Sequence, residues 1–160
     1  MARYIVDSQI DNHEKYYFIR EQESQDIVLL PSKYLMHKKR SKLSPNTIRR
    51  SAGAISYYLN YIDETGIQLD DVWEMPYNKQ QEHFTDYLIW LQAGLHSGDS
   101  YKKKPYNETC NAYLKEVFRF YRFSGQQDES TKQLKVLSDM RIIVHNSVGV
   151  KRTLYRNTFH

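Results

Sequence analysis

Apolar residues recur at helical spacing in three long segments of the chain. The first segment carries five of them at intervals of three or four residues, which places them on one helix face: Ile48, Ala52, Ile55, Leu59 and Ile62. Ser44 suits the N-cap of this helix, Pro45 its first turn and Gly66 its C-cap. The pattern therefore predicts a helix from residue 45 to about residue 65.

The same spacing predicts two further long helices and one short one. The second long helix covers NKQQEHFTDYLIWLQAG, which ends at Gly94, and the third covers YNETCNAYLKEVFRFYRFSG, which ends at Gly125. Both glycines are typical helix C-caps. A shorter helix is predicted over SKYLMHKK, just before the first long one.

The two ends of the chain follow a different pattern. RYIVDSQIDNHEKYYFIRE and MRIIVHNSVGVKRTLYR each contain two β-prone runs around a polar turn, which favours a hairpin at either end. SGQQDES is typical of a linker. We therefore predict an all-α fold with short β-prone N- and C-terminal flanks, in three parts: a flank of residues 1–26, a helical domain of residues 27–125 and a connecting segment of residues 126–160.

Basic residues are segregated along the 160-residue chain, whose net charge is +4 and whose pI is about 9.0. Between His37 and Arg50 there are six lysines and arginines and no acid; between Tyr101 and Arg122 there are six against two acids. An acidic stretch separates the two blocks. Each block leads into a predicted helix, and in an antiparallel bundle the two helix starts would lie at the same end.

Such helix starts suit phosphate oxygens, because free backbone N–H groups and the positive end of the helix dipole lie there. Thr47, Asn107 and Thr109 add short polar side chains that can contact phosphates or base edges. The blander interpretation is that the basic blocks are solvated loops, that Thr47 bonds within the first turn, and that Asn107 is an N-cap. These roles of Thr47 and Asn107 are compatible with contact to DNA.

Residues for catalysis or cofactor binding are hard to find. The sequence has no phosphate-binding glycine loop, no His-Glu-x-x-His motif and no nucleophile elbow, and its six histidines show no ligand spacing. We predict no cofactor and no metal. Glu82 and His83 are interpreted as a surface pair, and Cys110 as a buried thiol. The aromatic residues of the first and third long helices are assigned to the core: Tyr57, Tyr58, Tyr61, Phe118, Phe120, Tyr121 and Phe123.

The order of these patterns resembles the core-binding domain of tyrosine recombinases, the phage and transposon integrase family. The resemblance is carried by VLLPSKYLMHKKRSKLSPNTIRRSAGAISYYLNYIDETGIQLDDV, then FTDYLIWLQ, then NETCNAYLKEVFRFYRF, and covers roughly residues 27–124. It implies a four-to-five-helix, SAM-like orthogonal bundle that forms half of a clamp on DNA. It also implies a set of DNA contacts: Lys42, Thr47, Arg49, Arg50, Lys103, Lys104, Asn107, Thr109, Asn111, Lys115 and Arg119.

The chemistry of that family belongs to a separate domain with an arginine, a lysine, a His-x-x-Arg box and a nucleophilic tyrosine. HKKR at residues 37–40 matches the box by letter only, since it precedes the bundle and lacks the apolar context that flanks the box in that family. We therefore expect no enzymatic activity in this chain. We expect a piece of a larger bacterial recombinase, cytoplasmic and nucleoid-associated, which binds duplex DNA at a recombination core site. Other recombinase protomers would join it in the full-length synaptic complex, with no membrane partner and a monomeric isolated domain.

Two alternatives stay open at this point. One is a stand-alone helical DNA-binding accessory factor, although the connections between the long helices exceed the three or four residues of a helix-turn-helix. The other is a protein–protein interaction bundle with the aromatic residues on a docking face. Salt separates these classes, because phosphate binding weakens steeply with ionic strength whereas an aromatic face responds weakly.

Overall fold

The computed structural model of the chain describes residues 2–97, 105–127 and 132–137. Within it, the chain divides into two compact units, Met1–Gly66 and Ile67–His160. The helical domain predicted for residues 27–125 spans this boundary and stays a prediction.

Unit 1 begins with an antiparallel β-hairpin. Strand β1 (Tyr4–Asp11) pairs with β2 (Glu14–Glu21) in a register that sets Val6 opposite Ile19. The two turn residues, Asn12 and His13, have φ values of 50° and 67°, the left-handed pair that a two-residue hairpin turn requires. The predicted N-terminal hairpin is thereby confirmed.

Helices α1 (Leu29–Arg40) and α2 (Pro45–Thr65) complete unit 1, and both pack on the hairpin. The predicted start and end of α2 are confirmed: the Ser44 side chain accepts a hydrogen bond from the Thr47 N–H, and Gly66 closes the helix with φ 75°. Ile48, Ala52 and Ile55 of the predicted apolar face are at most 2% exposed.

The amide of Asn60 ties α2 to the first residues of the hairpin. Its Oδ1 accepts from the backbone N–H groups of Arg3 (3.0 Å) and Tyr4 (2.9 Å), and its Nδ2 donates to the Tyr4 carbonyl (3.1 Å). The Arg3 side chain adds an ion pair of 2.6 Å to Asp63. A helix side chain thus provides hydrogen-bond partners for the backbone groups at the start of β1, as a neighbouring strand would.

Unit 2 contains the short helix α3 (Asp71–Glu74), α4 (Tyr77–Gln92), a 3-10 turn (Leu95–Ser97) and α5 (Asn107–Gln126). Its core is aromatic: the Phe84 ring meets the Phe118 ring edge to face at 4.9 Å, and Trp73 meets Tyr121 in the same way at 5.1 Å. The Tyr121 hydroxyl donates to the Leu69 carbonyl at 3.1 Å. Of the aromatic residues assigned to the core, five are buried as predicted, while Tyr57 and Phe123 are half-buried.

Residues 132–137 pack against the helices of unit 2, and the fully buried side chain of Gln80 connects them. Its Oε1 accepts from the Lys135 N–H (2.9 Å) and the Val136 N–H (3.3 Å), while its Nε2 donates to the Val72 carbonyl (2.8 Å). Leu134, Val136 and Leu137 are also buried. This part of the predicted connecting segment is therefore ordered against the helices.

Three predictions are corrected by the structure. The all-α, four-to-five-helix SAM-like bundle is wrong as a fold class, because the N-terminal β-hairpin makes the chain mixed, though largely helical. Gly125 is not a C-cap, since it lies inside α5, whose C-cap is Gln127. His83 is only 5% exposed, so it forms no surface pair with Glu82, which pairs with Lys79 instead. The hairpin predicted for residues 140–156 lies outside the described residues.

Candidate nucleic-acid interface

Six cations cluster where α1 ends and α2 begins, and we call this cluster the basic corner. The last turn of α1 is entirely basic, and the first turn of α2 contains no acid. The basic corner consists of Lys38, Lys39, Arg40, Lys42, Arg49 and Arg50. The short connection of residues 41–44 joins the two helices, so the cluster belongs to one local structure within unit 1.

The connection is shaped by hydrogen bonds to the end of α1. The Ser41 hydroxyl donates to the His37 carbonyl (3.1 Å), and the Lys42 N–H donates to the Lys39 carbonyl (3.0 Å). Lys42 itself has φ 63°, a left-handed conformation that glycine usually occupies after a helix. A lysine in this conformation strains the backbone. The same residue places an exposed ammonium group in the connection between the two helices.

The first turn of α2 is occupied by its own capping bonds. The Ser44 and Thr47 hydroxyls lie 2.8 Å apart, and Pro45 has no N–H. Arg49 donates to the Asn46 amide oxygen at 3.0 Å, which orients its guanidinium group without neutralising it. Thr47 therefore acts in the cap, as the blander interpretation predicted, and the exposed arginine side chains of the second turn can reach an anion.

Three cations of the basic corner have neither a side-chain hydrogen bond nor an ion pair within the described part of the chain. These are Arg40, Lys42 and Arg50, and all three are exposed. Lys39 differs, since its ammonium group lies 3.9 Å from Glu14 and 5.3 Å from the Tyr16 ring centre. The basic corner thus presents unneutralised charge at Arg40, Lys42 and Arg50, and anchors α1 to the hairpin through Lys39.

The start of α5 in unit 2 is uncapped. Its N-cap, Tyr106, makes no side-chain capping bond, and the first backbone bond runs from the Cys110 N–H to the Tyr106 carbonyl at 3.1 Å. Among the described residues, nothing accepts from the N–H groups of residues 107–109. Asn107 is exposed, while Thr109 and Asn111 are half-buried. This helix start leaves more free N–H donors than that of α2.

The polar side of α5 carries the predicted basic stripe. Lys115, Arg119 and Arg122 are exposed, and Arg119 donates to Glu116 at 3.0 Å. Lys103 and Lys104 lie outside the described residues. The two basic blocks belong to different compact units, so their convergence on one surface stays a prediction.

Burial shifts the pKa values of three side chains in unit 2. Cys110 is 0% exposed, as predicted, and burial raises the pKa of its thiol. Burial lowers the pKa of His83 to about 4 and also lowers that of His96.

Two features of the basic corner were not predicted from the sequence: the left-handed backbone of Lys42 and the hydrogen bond between Asn46 and Arg49. An asparagine three residues before an arginine in a helix permits such a bond.

The described residues hold no group of three or more His, Cys, Asp or Glu side chains placed to bind a metal ion. Nor do they form a helix both long and apolar enough to cross a bilayer. No protein-family model matches the chain, and no match was found among curated proteins or solved structures.

Proposed function

We propose that the chain binds duplex DNA through phosphate contacts made by the basic corner. The observation that carries this proposal is the exposure of Arg40, Lys42 and Arg50 without a carboxylate partner among the described residues. Folded proteins commonly surround surface cations with acids, whereas this corner has none between His37 and Arg50 in sequence. An unneutralised cluster of this kind attracts polyanions.

The placement of charge along α2 supports the same proposal. Arg49 and Arg50 lie near the positive end of the helix dipole, whereas Asp63 and Glu64 lie near its negative end. A phosphate bound at the start of α2 would be attracted both by this end of the helix and by the two arginines.

Arginine suits this role because its planar guanidinium group can form two parallel hydrogen bonds to a phosphate. Arg49 is already oriented by Asn46, and Arg50 has no side-chain hydrogen bond to a described residue. Asn107, Thr109, Asn111, Lys115 and Arg119 of α5, together with Lys103 and Lys104, are proposed as a second set of contacts. Their support is the uncapped start of α5 and its exposed basic stripe.

The biological role proposed for this binding is that of the core-binding module of a tyrosine recombinase. This part rests on the ordered sequence pattern of residues 27–124 alone. In that role the chain would hold duplex DNA at the recombination site while a catalytic domain elsewhere in the protein cuts and rejoins the strands.

The test is a fluorescence-anisotropy titration with labelled duplex DNA at several salt concentrations. We expect the logarithm of the association constant to fall with the logarithm of salt concentration, with a slope of about 0.9 for each phosphate contacted. Arg50→Glu should weaken binding at least about tenfold and reduce the slope by about one phosphate.

The matched control is Lys79→Glu, which changes the net charge equally at an exposed position of α4 outside both proposed surfaces. Equal losses in the two variants would mean that only net charge matters, which contradicts the proposed surface. Binding that does not respond to salt would favour the protein-interaction alternative instead.

A further inference from the structure

Gly53 lies in the middle of the 21-residue helix α2 and is half-buried. Glycine is the least favourable residue for a helix interior apart from proline, because its backbone loses more freedom than that of any other residue. A protein usually tolerates it there because another group approaches too closely for a side chain. At Gly53 an added Cβ would meet no described atom within 4 Å. Among the described residues, no close approach to the helix requires a glycine at this position.

The position of Gly53 on α2 indicates what the open space serves. Residues three and four apart lie on the same helix face, so Arg50 and Arg49 are its neighbours one turn towards the helix start. Tyr57 is its neighbour one turn further on and is half-buried. Gly53 thus leaves a gap without a side chain directly beside the two arginines of the basic corner.

Lys42 provides an independent observation at the same corner. Its left-handed backbone favours glycine, yet a lysine is present; the interior of α2 favours a side chain, yet a glycine is present. At both positions the residue is not the one that the backbone conformation favours. Lys42 adds a charge, and Gly53 leaves out a side chain. A charged ligand that also needs close access to the helix accounts for both.

We propose that the sugar–phosphate backbone of duplex DNA lies across Gly53, in van der Waals contact with the α2 backbone, while Arg49 and Arg50 bind its phosphates. This inference rests on the proposed function and adds to it the depth and direction of the contact. The occupant is a nucleic-acid backbone because the two arginines next to the gap are cationic and exposed. The contact extends from the start of α2 along its side for about 10 Å, at 1.5 Å per residue.

The test combines stability with binding in two variants. Gly53→Ala is expected to raise the melting temperature by about 2 °C, because alanine favours the helix and its Cβ has room. Gly53→Gln places a longer side chain in the gap and is expected to weaken DNA binding at least about tenfold, with a melting temperature no lower than that of the wild type. Ala93→Gln, at an exposed position of unit 2, is the control for an added glutamine side chain.

The outcomes separate this inference from the proposed function. If Gly53→Gln binds DNA as the wild type does while Arg50→Glu does not, the backbone contact is refuted and the DNA-binding function stands. A lower melting temperature for Gly53→Ala would show that the glycine is needed for folding and would overturn the inference. If the wild type fails to bind DNA at low salt, both proposals fail together.

Discussion

Acidification is expected to destabilise unit 2 through His83. Burial lowers the pKa of this histidine from 6.5 to about 4, so the folded state holds it neutral while the unfolded state protonates it below pH 6.5. The contribution of neutral His83 to the free energy of unfolding is fully present above pH 6.5 and is lost as the pH falls towards 4. The complete loss is about 3 kcal/mol, and at about pH 5 the loss is about 2 kcal/mol.

The assay is urea denaturation followed by far-UV circular dichroism at about pH 8 and pH 5, for the wild type and for His83→Gln. Glutamine does not titrate, so the variant should lose about 2 kcal/mol less than the wild type between the two pH values. His96 also resists protonation through burial, but it is present in both proteins and cancels in the comparison. An equal pH dependence of the two proteins would refute the assignment to His83.

Three further substitutions test local features. Asn60→Ala removes three hydrogen bonds to the start of β1 and should lower the free energy of unfolding by about 2 kcal/mol in urea titrations, at about 1 kcal/mol per bond less the compensation by water; an unchanged midpoint would show that water replaces the amide. Gly125→Ala places a Cβ against the Lys132 carbonyl, so residues 132–137 should become cleavable by trypsin, and equal protection would contradict this. Lys42→Gly should raise the free energy of unfolding by up to about 1 kcal/mol and weaken DNA binding several-fold, whereas Lys42→Ala should only weaken binding; destabilisation by glycine would contradict the strain.

Local sequence signals were sufficient for the helices of unit 1. The serine, proline and glycine that delimit α2 act through bonds within a few residues, so their spacing carries the whole instruction. The N-terminal hairpin was also recognisable, because the two β-prone runs flank a polar turn of two residues. What the sequence concealed was that Asn60 secures this hairpin to α2, a contact between residues more than fifty positions apart.

Two errors arose where tertiary packing assigned a residue a different role. Gly125 follows a long amphipathic run, as a C-cap does, but its lack of a side chain serves the close approach of Lys132. His83 is polar by type, yet it lies in the apolar core of unit 2 next to the Phe84 ring at 4.9 Å. Neither the approach of Lys132 nor the burial of His83 can be identified from local periodicity.

In the candidate site, too, some features could be predicted from the local sequence and others depend on tertiary contacts. The cations of the basic corner follow from composition alone, and the structure keeps Lys42, Arg49 and Arg50 exposed. Which of them are neutralised depends on partners from other elements, such as Glu14 for Lys39. The left-handed backbone of Lys42 has no sequence signal, because lysine is not selected for that conformation.

The positions of a few side chains also make the two units separately observable. Cys110, the single cysteine of the chain, is buried in unit 2, and both tryptophans, Trp73 and Trp90, belong to that unit as well. Thiol-exchange kinetics and indole fluorescence therefore report the opening of unit 2, and unit 1 contributes nothing to either signal. Comparing these probes with backbone amide exchange would give the unfolding free energy of each unit in the intact chain, without separating them.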